Sequence, residues 1–489
     1  MKIIIERTRI IFENYSEEEK AEIEDLVGTI DKTFYYEDRQ KKRICIPPGL
    51  VEEVARVFPE SKPEERIKNY WEFALINPVN HKMKWRNKMQ EDFIKFLIKE
   101  ANNKTPKVVG ILAPGAGKTF MACYSAIQVG ARTLIIAPTA SIRDQWVQTL
   151  LNMFGVNPSD VTNAITPKDF FHGKTDFVVT TQSMLLSLDK SYDLERMLKD
   201  MKFGIKIIDE CHLFFSNLIR IDGSSNICHN WYLTGTFGRS GIDEDKLYKA
   251  MFSDAEVFSV KDKPKTIFNS KPGNVYGEKP HTFTTMIWTH SQINKEQLKS
   301  VMISNRQSER SGQWVRYGIS IPAYTQVVIP TDGRWTPFMK TVKKVIELAD
   351  NKVKYGKMLI LLPTVEVVDL FHAVVSDMFP KYVVARVHSK VKIPSMVVLK
   401  KEADVIVSTV KSTGTGFDWK GLSKLIICDQ FKSSILTSQV IGRLRRRDDN
   451  RPTYMWDIVD ADVRQLRVWA NSRAEVEKKV SKDFKVVDM

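Results

Sequence analysis

Short, mostly apolar runs alternate with segments of helical periodicity from about residue 105 onward. Such runs are typical of buried strands, and the segments between them are long enough for crossover helices. The alternation predicts a parallel sheet, because parallel strands require crossover connections. The predicted strands are Val108–Leu112, Thr133–Ala137, Phe177–Thr181, Ile205–Ile208 and Trp231–Thr234.

The same alternation returns in the last third of the chain. Residues 263–330 carry Gly, Pro, Ser and Asn scattered among polar residues and are expected to form an irregular connector with an insertion. Two α/β halves in tandem are therefore predicted. The strands expected in the second parallel sheet are Met358–Leu362, Val383–Val387, Val405–Ser408, Leu425–Cys428 and Thr453–Ile458.

The first 75 residues have a different pattern, which predicts a small α+β unit. A strand is expected over Lys2 to Phe12, and Ser16 with Glu19 three residues later is a capping box that begins a helix. Two apolar runs around a polar turn then predict a hairpin, and a second helix is expected over Leu50 to Phe58. Pro59 to Arg66 is rich in proline and charge and is interpreted as a linker.

Four segments follow from these patterns, and the fold class is α/β with an additional α+β unit. They are a small N-terminal α+β domain (1–75), a first α/β domain (76–262), a connector with an insertion (263–330) and a second α/β domain (331–489).

Composition narrows the class of protein. The 489 residues are 43% hydrophobic and 27% charged, which is typical of folded globular chains and argues against wholesale disorder. No run of about 18 uninterrupted apolar residues occurs, and Glu6 and Arg7 interrupt the apolar start too early for a signal peptide. Five cysteines without paired spacing favour reduced thiols, so a cytoplasmic protein is expected.

The net charge of +15 is unevenly distributed along the chain. Residues 1–75 carry thirteen basic and seventeen acidic side chains, so residues 76–489 hold a net charge of +19. Lys and Arg neutralise phosphates and release counterions, which favours a polyanion such as nucleic acid as a partner. A basic surface without a ligand is the alternative that composition leaves open.

A glycine-rich loop follows the first predicted strand and precedes a helix predicted over Phe120 to Gln128. Small residues let backbone N–H groups approach phosphate, and the helix N-terminus adds partial positive charge. Lys118 is placed to reach the β- and γ-phosphates, and the Thr119 hydroxyl to bind magnesium. Because Leu112 stands where the full motif has Gly, a simple glycine-rich turn is the alternative. The loop consists of Ala113, Pro114, Gly115, Ala116, Gly117, Lys118 and Thr119.

Two adjacent acids, Asp209 and Glu210, follow the predicted strand Ile205–Ile208. Parallel sheets place their active-site groups at the carboxyl ends of strands. Asp209 is expected to hold magnesium, and Glu210 to orient or deprotonate the water that attacks the γ-phosphate. A solvated acidic turn is the alternative for an isolated pair of this kind.

A third motif lies near the carboxyl end of the chain, where Gln439, Arg443 and Arg446 share one helical face at i, i+4 and i+7. Arginine supplies planar donors for the charge that develops on a transferring phosphoryl group. A basic helix end in solvent is a serious alternative for the neighbouring Arg445 and Arg447, but it explains the whole set poorly.

Six ordered motifs together resemble those of superfamily 2 helicases, and the resemblance covers about residues 85–460. The chain looks most similar to UvsW-type branch-migration helicases of bacteriophages, partly because they show a similar β-α-β-β-α pattern before the motor. The motifs are Leu-Ala-Pro-Gly-Ala-Gly-Lys-Thr (112–119), Ile-Ile-Ala-Pro-Thr (135–139), Asp-Glu-Cys-His (209–212), Leu-Thr-Gly-Thr (233–236), Ser-Thr-Gly-Thr-Gly-Phe-Asp (412–418) and Gln-x-x-Gly-Arg-x-x-Arg (439–446).

That resemblance implies two tandem RecA-like domains with ATP and Mg²⁺ in the cleft between them. Gln90, preceded by Arg86, would recognise adenine, and Asp418 would lie near the ribose. Thr234 and Thr236 would couple the ATP state to the grip on DNA. Ordinary turn and strand-end chemistry is the alternative for each of these residues. The residues implied along the nucleic-acid backbone are Pro138, Thr139 and Thr409.

Aromatic side chains within residues 305–317 supply a further hypothesis. Trp314 and Tyr317 lie near three arginines, and such residues stack on bases or wedge a junction in nucleic-acid-binding proteins. Simple packing of the aromatic rings is the alternative.

These features favour an ATP-dependent DNA helicase or translocase that remodels branched DNA, with the 3′–5′ direction that the resemblance implies. The alternatives are a DNA-dependent ATPase that releases transcripts, an RNA helicase, a motor subunit of a restriction system and a nucleic-acid-binding protein with a degenerate nucleotide site. Branched, single-stranded or duplex DNA is the expected partner, together with replication, recombination or transcription proteins. Residues 1–75 are expected to recognise a junction or a partner. No membrane is expected, and a phage-encoded chain would act in the host cytoplasm.

Overall fold

The computed structural model describes most of the chain in two compact units, Met1–Gly273 and Asn274–Met489. Among the described helices, none combines the length and apolar character that a membrane span needs. The described residues are 1–28, 35–38, 41–77, 79, 85, 87–112, 116–171, 175–188, 192–212, 215–235, 249–259, 281–303, 318–332, 334–388, 390–391, 402–410, 412, 421–431, 437, 440–441, 444 and 451–489.

The first unit begins with a small α+β region. Its elements are β1 (Lys2–Ile5), β2 (Ile10–Glu13), α1 (Glu17–Gly28), β3 (Tyr36–Asp38), β4 (Arg43–Ile46), α2 (Val51–Val57) and β5 (Glu64–Glu65). The strands form one sheet in the order β3-β4-β2-β1-β5. The capping box is confirmed, since the Ser16 N–H donates to a Glu19 carboxylate oxygen (2.7 Å) and the Glu19 N–H donates to Ser16 Oγ (3.1 Å).

Two details of this region differ from the sequence prediction. The single strand expected over Lys2 to Phe12 is a hairpin, because four polar residues break the apolar run and the Glu6 N–H donates to Arg9 O at 2.9 Å. The segment interpreted as a linker contains β5, which pairs in parallel with β1. Local composition did not reveal this pairing because the partner strand lies about sixty residues away in the sequence.

The small sheet packs closely onto the rest of the first unit. Most of its buried apolar residues belong to the same cluster as residues of the larger sheet. Arg9 is buried, donates to Gly223 O and forms an ion pair with Glu195 at 2.6 Å. A Cβ atom at Gly49 would lie 2.6 Å from Lys249 O, so the two surfaces meet without space for another side chain. The N-terminal sheet is therefore a fixed part of this unit.

The remainder of the first unit is built on a seven-stranded sheet. Its strands are β6 (Lys107–Ile111), β7 (Thr133–Ala137), β8 (Val161–Asn163), β9 (Phe177–Thr181), β10 (Ile205–Ile208), β11 (His229–Thr234) and β12 (Glu256–Ser259). They lie in the order β12-β6-β11-β10-β7-β9-β8, and every adjacent pair is parallel. All five predicted strands are confirmed within two residues at each end. The unpredicted β8 and β12 lie at the two edges, where less burial leaves a weaker apolar signal.

Among the described residues, seven α-helices with defined bounds accompany this sheet. They are α3 (Lys88–Asn102), α4 (Lys118–Val129), α5 (Ala140–Gln148), α6 (Pro167–Phe171), α7 (Gln182–Leu188), α8 (Leu194–Asp200) and α9 (Phe215–Gly223). Helix α4 corresponds to the helix predicted directly after the glycine-rich loop.

The second unit contains another seven-stranded sheet and a two-stranded ribbon. Its strands are β13 (Thr282–Thr289), β14 (Met302–Ile303), β15 (Gly318–Ile319), β16 (Lys357–Leu362), β17 (Val384–Val387), β18 (Val405–Thr409), β19 (Leu422–Ile427), β20 (Thr453–Asp460) and β21 (Ser481–Asp488). Its described helices are α10 (Lys295–Val301), α11 (Ile321–Val328), α12 (Pro337–Lys352), α13 (Val365–Met378) and α14 (Arg464–Val480). The large sheet has the parallel order β17-β18-β16-β19-β20-β13-β21, and β14 and β15 form the ribbon.

The expectation of an irregular connector is wrong for residues 282–289. This segment is β13, which pairs with β20 on one side and β21 on the other. Half of its residues are threonine, so the segment looks polar in sequence although the β-branched side chains fit a sheet. The predicted fold class is confirmed as two parallel α/β sheets of RecA-like type preceded by a small sheet, while the boundaries at residues 75, 262 and 330 stay predictions.

Candidate functional site

The predicted motif residues of the first unit converge at the carboxyl edge of its parallel sheet. The Asp209 N–H continues the ladder by donating to Ile136 O (3.0 Å), and the Leu112 N–H donates to Thr234 O (2.9 Å). The ends of β6, β7, β10 and β11 are therefore level, because their registers place these strands side by side. Segments that are far apart in sequence meet there, as expected for an active-site edge.

The phosphate loop leads into the N-terminus of α4. Gly117 caps this helix with φ of 92°, a left-handed conformation that favours glycine. Glycine has no capping side chain, so the first N–H groups of α4 are left for a ligand. Leu112, which replaces the usual glycine, is fully buried in the apolar core and explains this departure from the motif. Pro114 and Gly115 lie outside the described residues.

Lys118 and Thr119 occupy the first turn of α4. The Lys118 ammonium is buried, donates to Leu112 O at 3.3 Å and lies 3.5 Å from a Glu210 carboxylate oxygen. The Thr119 side chain is half-buried in the same turn. One cation, one hydroxyl and one carboxylate thus belong to the same small region, which is the donor set that a magnesium-bound phosphate chain requires.

Gln90 lies against the phosphate loop. Asn87 caps α3, and the buried Gln90 amide donates to Ala116 O at 3.0 Å. A Cβ at Gly117 would lie 2.9 Å from Gln90 Nε2, so glycine is also required there for space. The structure therefore brings this sequence-predicted residue to the glycine-rich loop, while Arg86 lies outside the described residues.

Asp209 is a buried carboxylate with two donors. One oxygen accepts from the Glu210 backbone N–H (2.9 Å), and the other accepts from the indole N–H of Trp146 (2.9 Å). Burial and the adjacent Glu210 charge raise the pKa of Asp209 above its ordinary value, against the lowering effects of Lys118 and Trp146. A cation would offset this destabilisation of the ionised form, which fits a metal-binding role.

Glu210 has a backbone conformation and an environment that differ from those of Asp209. Its φ is 49°, which costs free energy for a residue with a side chain and is typical of functional sites. Its carboxylate accepts from the Gly235 N–H at 3.3 Å. Burial raises the pKa of Glu210, but the charges of Lys118 and His212 outweigh it, so the net pKa shift is downward. Glu210 is therefore held ionised, as a group that orients or deprotonates water must be.

His212 links this edge to the next strand and had no assigned role in the sequence analysis. It is fully buried, its Nδ1 lies 2.8 Å from Thr234 Oγ1, and the same nitrogen is 3.4 Å from a Glu210 carboxylate oxygen. Thr234 is thus connected to Glu210 through one imidazole ring. The sequence signal was the fourth position of the Asp-Glu-Cys-His motif, but only the register of β10 and β11 reveals the partner.

Trp146 is the second functional candidate that the sequence analysis missed. Its side chain is fully buried, and its indole N–H reaches Asp209 from helix α5. A buried indole usually finds an acceptor, so the only sequence signal was a Trp at an apolar position of a helix. The acceptor is 63 residues away in the sequence, which places the contact beyond local pattern analysis.

The predicted nucleic-acid contacts have local structural roles that leave their function open. Thr139 caps α5 by accepting from the Ile142 N–H (3.4 Å), and Pro138 beside it is buried. In the second unit, Thr409 at the end of β18 accepts from the Ser412 N–H (3.2 Å). Both threonines stand at carboxyl ends of parallel strands, where ligands bind in open α/β sheets.

Several predicted site residues lie outside the described part of the chain, so the structure adds nothing on them. They are Thr236, Trp314, Asp418, Gln439, Arg443 and Arg446.

A protein-only metal cluster is absent from the described residues, which contain no group of three or more His, Cys, Asp or Glu side chains able to hold an ion. Magnesium is usually bound by one or two protein oxygens together with substrate phosphates. Thr119 and Asp209 fit that mode, because they supply a hydroxyl and a carboxylate at the same sheet edge.

Comparisons with known proteins find one protein family and two relatives with helicase names. The family described as "Type III restriction enzyme, res subunit" matches residues 82–239. This chain is 25% identical to the "General transcription and DNA repair factor IIH helicase/translocase subunit XPB" of Enterocytozoon bieneusi. The match covers 171 residues, which are 32% of this chain and 25% of the relative. The chain is 22% identical to the "Putative DNA 3'-5' helicase Rad25" of Haloarcula marismortui over 235 residues, which are 47% of this chain and 36% of the relative. The chain thus spans only about a quarter to a third of the length of these two relatives.

Two solved structures align with this chain, with different TM-scores. A fragment of a putative HsdR subunit of a type I restriction enzyme from Vibrio vulnificus aligns with a TM-score of 0.52 and 13% identity, over 94% of this chain and 78% of that one. T4 UvsW aligns over 100% of both chains with 18% identity, but its TM-score of 0.33 is too low to support a comparison. The first likeness supports the fold alone. Together, the ordered motifs, the residues that meet at the sheet edge and the helicase names of the relatives support a likeness to superfamily 2 helicases.

Proposed function

We propose that the chain is an ATP-dependent DNA helicase or translocase that remodels branched DNA by fork remodelling or branch migration, moving 3′ to 5′. The observation that carries the proposal is the arrangement of Lys118, Asp209 and Glu210 at one sheet edge. A protein that only binds nucleic acid does not require a catalytic base, a metal-binding acid and a phosphate-binding lysine together.

ATP and Mg²⁺ are the proposed cofactors, and bound Mg²⁺ would neutralise charge on the phosphates. Lys118 would contact the β- and γ-phosphates, while Thr119 and Asp209 would hold the metal. Gln90 would recognise the adenine base of ATP, since its side chain already contacts the loop that precedes Lys118. Gly115, Ala116 and Gly117 would supply backbone N–H groups, and Pro114 would shape the turn before them.

Glu210 is the proposed catalytic base. Its lowered pKa keeps the carboxylate ionised at neutral pH, so it accepts a proton from water or orients the water for attack. His212 joins this carboxylate to Thr234 at the end of β11. We propose that Thr234, with Thr236, transmits changes at the carboxylate toward the nucleic acid.

The motif in the second unit is proposed to complete catalysis. Arg443 and Arg446 would stabilise charge on the transferring phosphoryl group, with Gln439 on the same helical face and Asp418 near the ribose. Pro138, Thr139 and Thr409 would lie along the DNA backbone, and Trp314 would stack on or separate bases. These roles rest on the motif pattern.

DNA is favoured as the substrate by charge and by the relatives. Residues 76–489 carry a net +19, which suits contacts with phosphates that are insensitive to base sequence. Both curated relatives have helicase names, and one name includes DNA and the 3′–5′ direction. The preference for branched DNA and action in the cytoplasm are the finer parts of the proposal.

Residues 1–75 are proposed to recognise the junction or a protein partner. Their net charge of −4 disfavours broad electrostatic binding of DNA. The tight packing of this sheet on the first unit would hold such a recognition surface in a constant position relative to the ATP site. Residues 76–262 and 331–489 would then form the motor, with 263–330 joining them.

Steady-state ATP hydrolysis with single-stranded DNA, duplex DNA, a four-way junction and RNA tests the proposal. Lys118→Ala and Glu210→Gln should each lower the stimulated kcat by about 100-fold or more, because each removes a group needed in the transition state. Lys95→Ala is the matched control, since Lys95 is exposed and pairs with nearby Glu91 on the surface of α3. Strongest stimulation by the junction supports branched DNA as the substrate. Stimulation mainly by RNA would replace the proposal with an RNA helicase.

A motor subunit of a restriction system is the second candidate. The matching family carries a restriction-enzyme description, and the HsdR fragment shares the fold. Such a motor would be stimulated most by long linear duplex DNA in the same panel. Equal stimulation by all DNA forms, with displacement of RNA from a stalled transcription complex, would instead favour transcript release.

A further inference from the structure

We infer that Trp146 is a positioning residue that ties the metal-binding carboxylate Asp209 to helix α5, so that nucleic-acid contact at the start of α5 changes the Mg²⁺ requirement. The inference rests on the proposed function, because it assumes that Asp209 holds Mg²⁺ and that Thr139 contacts the nucleic-acid backbone.

The contact itself is direct and buried. The Trp146 indole N–H donates to Asp209 Oδ2 at 2.9 Å, while Oδ1 accepts from the adjacent Glu210 backbone N–H. In the described part of the chain, Trp146 is therefore the donor to Asp209 that comes from a different helix or strand. A hydrogen bond of this kind fixes which carboxylate lone pairs remain for a metal.

The other end of α5 reaches the predicted nucleic-acid edge. Thr139 is the N-cap of this helix, seven residues before Trp146, so the two sites are about 10 Å apart along the helix axis. A short helix of nine residues transmits a displacement along its axis as a nearly rigid body. A phosphate that engages Thr139 would thus shift the indole that holds Asp209.

The structure immediately after Trp146 is also unusual. Residues Thr149–Met153 form a π-helical turn that directly continues α5. Such turns occur mostly as local interruptions of α-helices and are frequent at functional sites. The widened turn lies on the far side of Trp146 from Thr139, which leaves the segment between them as a regular helix.

A packing role is the competing explanation, because Trp146 also belongs to the apolar core of the unit. That cluster contains a second buried tryptophan, Trp231, on strand β11. Trp146→Phe and Trp231→Phe remove similar volume from the same core, but only the former removes the indole N–H bonded to Asp209. Trp231→Phe is therefore the matched control for lost packing.

The experiment is a Mg²⁺ titration of the full chain, with and without a single-stranded oligonucleotide. ATP hydrolysis and binding of a fluorescent ATP analogue are both measured. We expect DNA to lower the half-saturating Mg²⁺ concentration of the parent. Trp146→Phe should raise that concentration about tenfold, as loss of an outer-shell partner does, and should remove most of its dependence on DNA. Trp231→Phe should stay within about twofold of the parent at a similar loss of Tm.

The outcomes separate this inference from the proposed function. If the parent shows Lys118-dependent hydrolysis but both tryptophan variants have the same Mg²⁺ dependence, Trp146 only packs and the inference is overturned. If the parent binds the analogue without hydrolysing ATP, the Mg²⁺ dependence of binding still decides the role of Trp146. If the parent binds no nucleotide, the proposed function fails and the inference fails with it.

Discussion

Replacement of Asp222 by Asn gives the most demanding test of the packing described for the first unit. The Asp222 carboxylate accepts from Lys206 Nζ at 2.6 Å and from the Tyr232 hydroxyl at 2.9 Å. Lys206 lies on β10, three residues before Asp209, and Tyr232 lies on β11, two residues before Thr234. Asp222→Asn keeps the shape of the side chain but leaves the Lys206 ammonium without a counterion.

The expected magnitude follows from burial. The side chains of Lys206 and Asp222 are 0% and 1% exposed, and removal of one partner from such a pair costs about 3–5 kcal/mol. In a unit of this size, each kcal/mol lowers Tm by about 2–4 °C, so a loss of about 6–20 °C is expected. The loss of Tm lies at the lower end of this range, about 6 °C, if Lys206 loses its proton in the folded variant.

Loss of the Lys206 proton makes the stability of the Asp222→Asn variant depend on pH. Burial lowers the pKa of Lys206, against the opposing effect of Asp222. Without the aspartate this pKa falls further, and the unfolded chain then binds more protons than the folded chain. Stability of the variant therefore rises with pH, and the loss of Tm should shrink between about pH 7 and 9.5.

The assay is thermal unfolding of the full chain, with Glu52→Gln as the control. Glu52 pairs with Arg56 at 3.8 Å, and both side chains are more than 70% exposed, so this loss should be within about 0.5 kcal/mol. A Tm for Asp222→Asn within 2 °C of the parent at pH 7 would refute the reasoning. It would mean that water or a neighbouring group compensates Lys206.

Two further predictions concern the packing of the small sheet and the second unit. Gly49→Ala should lower Tm by several degrees, because the new Cβ meets backbone oxygens including Ala250 O. Gly28→Ala places its Cβ in open space and should leave Tm equal or higher. Equal effects of the two substitutions in thermal unfolding would contradict close docking of the sheet. In the second unit, hydrogen bonds to Asp462 and then Asp488 raise the pKa of His290. The stabilisation is fully present below about pH 6.5 and is lost as pH rises through the folded pKa. His290→Gln should therefore lower Tm at pH 5.5 and have little effect at pH 8.5, and a pH-independent difference would rule out this linkage.

Much of the fold follows from local pattern. Most buried strands of both sheets are mainly apolar runs, because strands covered on both faces need no polar side. Thr133–Ala137, Phe177–Thr181 and Ile205–Ile208 were predicted with the observed bounds. The Ser16–Glu19 capping box was also predictable, since both hydrogen bonds join residues three apart.

Strand pairing over long distances was not predictable in the same way. β13 is rich in threonine and was interpreted as irregular, although it lies between β20 and β21. β5 is only two residues long and depends on β1 for its hydrogen bonds. Such strands are stabilised by their neighbours in the sheet, so their own composition carries little signal.

In the candidate site, the sequence and the tertiary structure likewise contribute different information. By itself, the sequence determined which residues are candidates: the residue types, order and position after apolar strands of Lys118, Asp209 and Glu210 suit phosphate and metal binding. The tertiary structure alone decided the contacts that tune them, namely Trp146 on Asp209 and His212 beside Thr234. These pairs are distant in the chain, and only the parallel register of neighbouring strands, with a helix packed on them, brings their polar atoms within hydrogen-bonding distance.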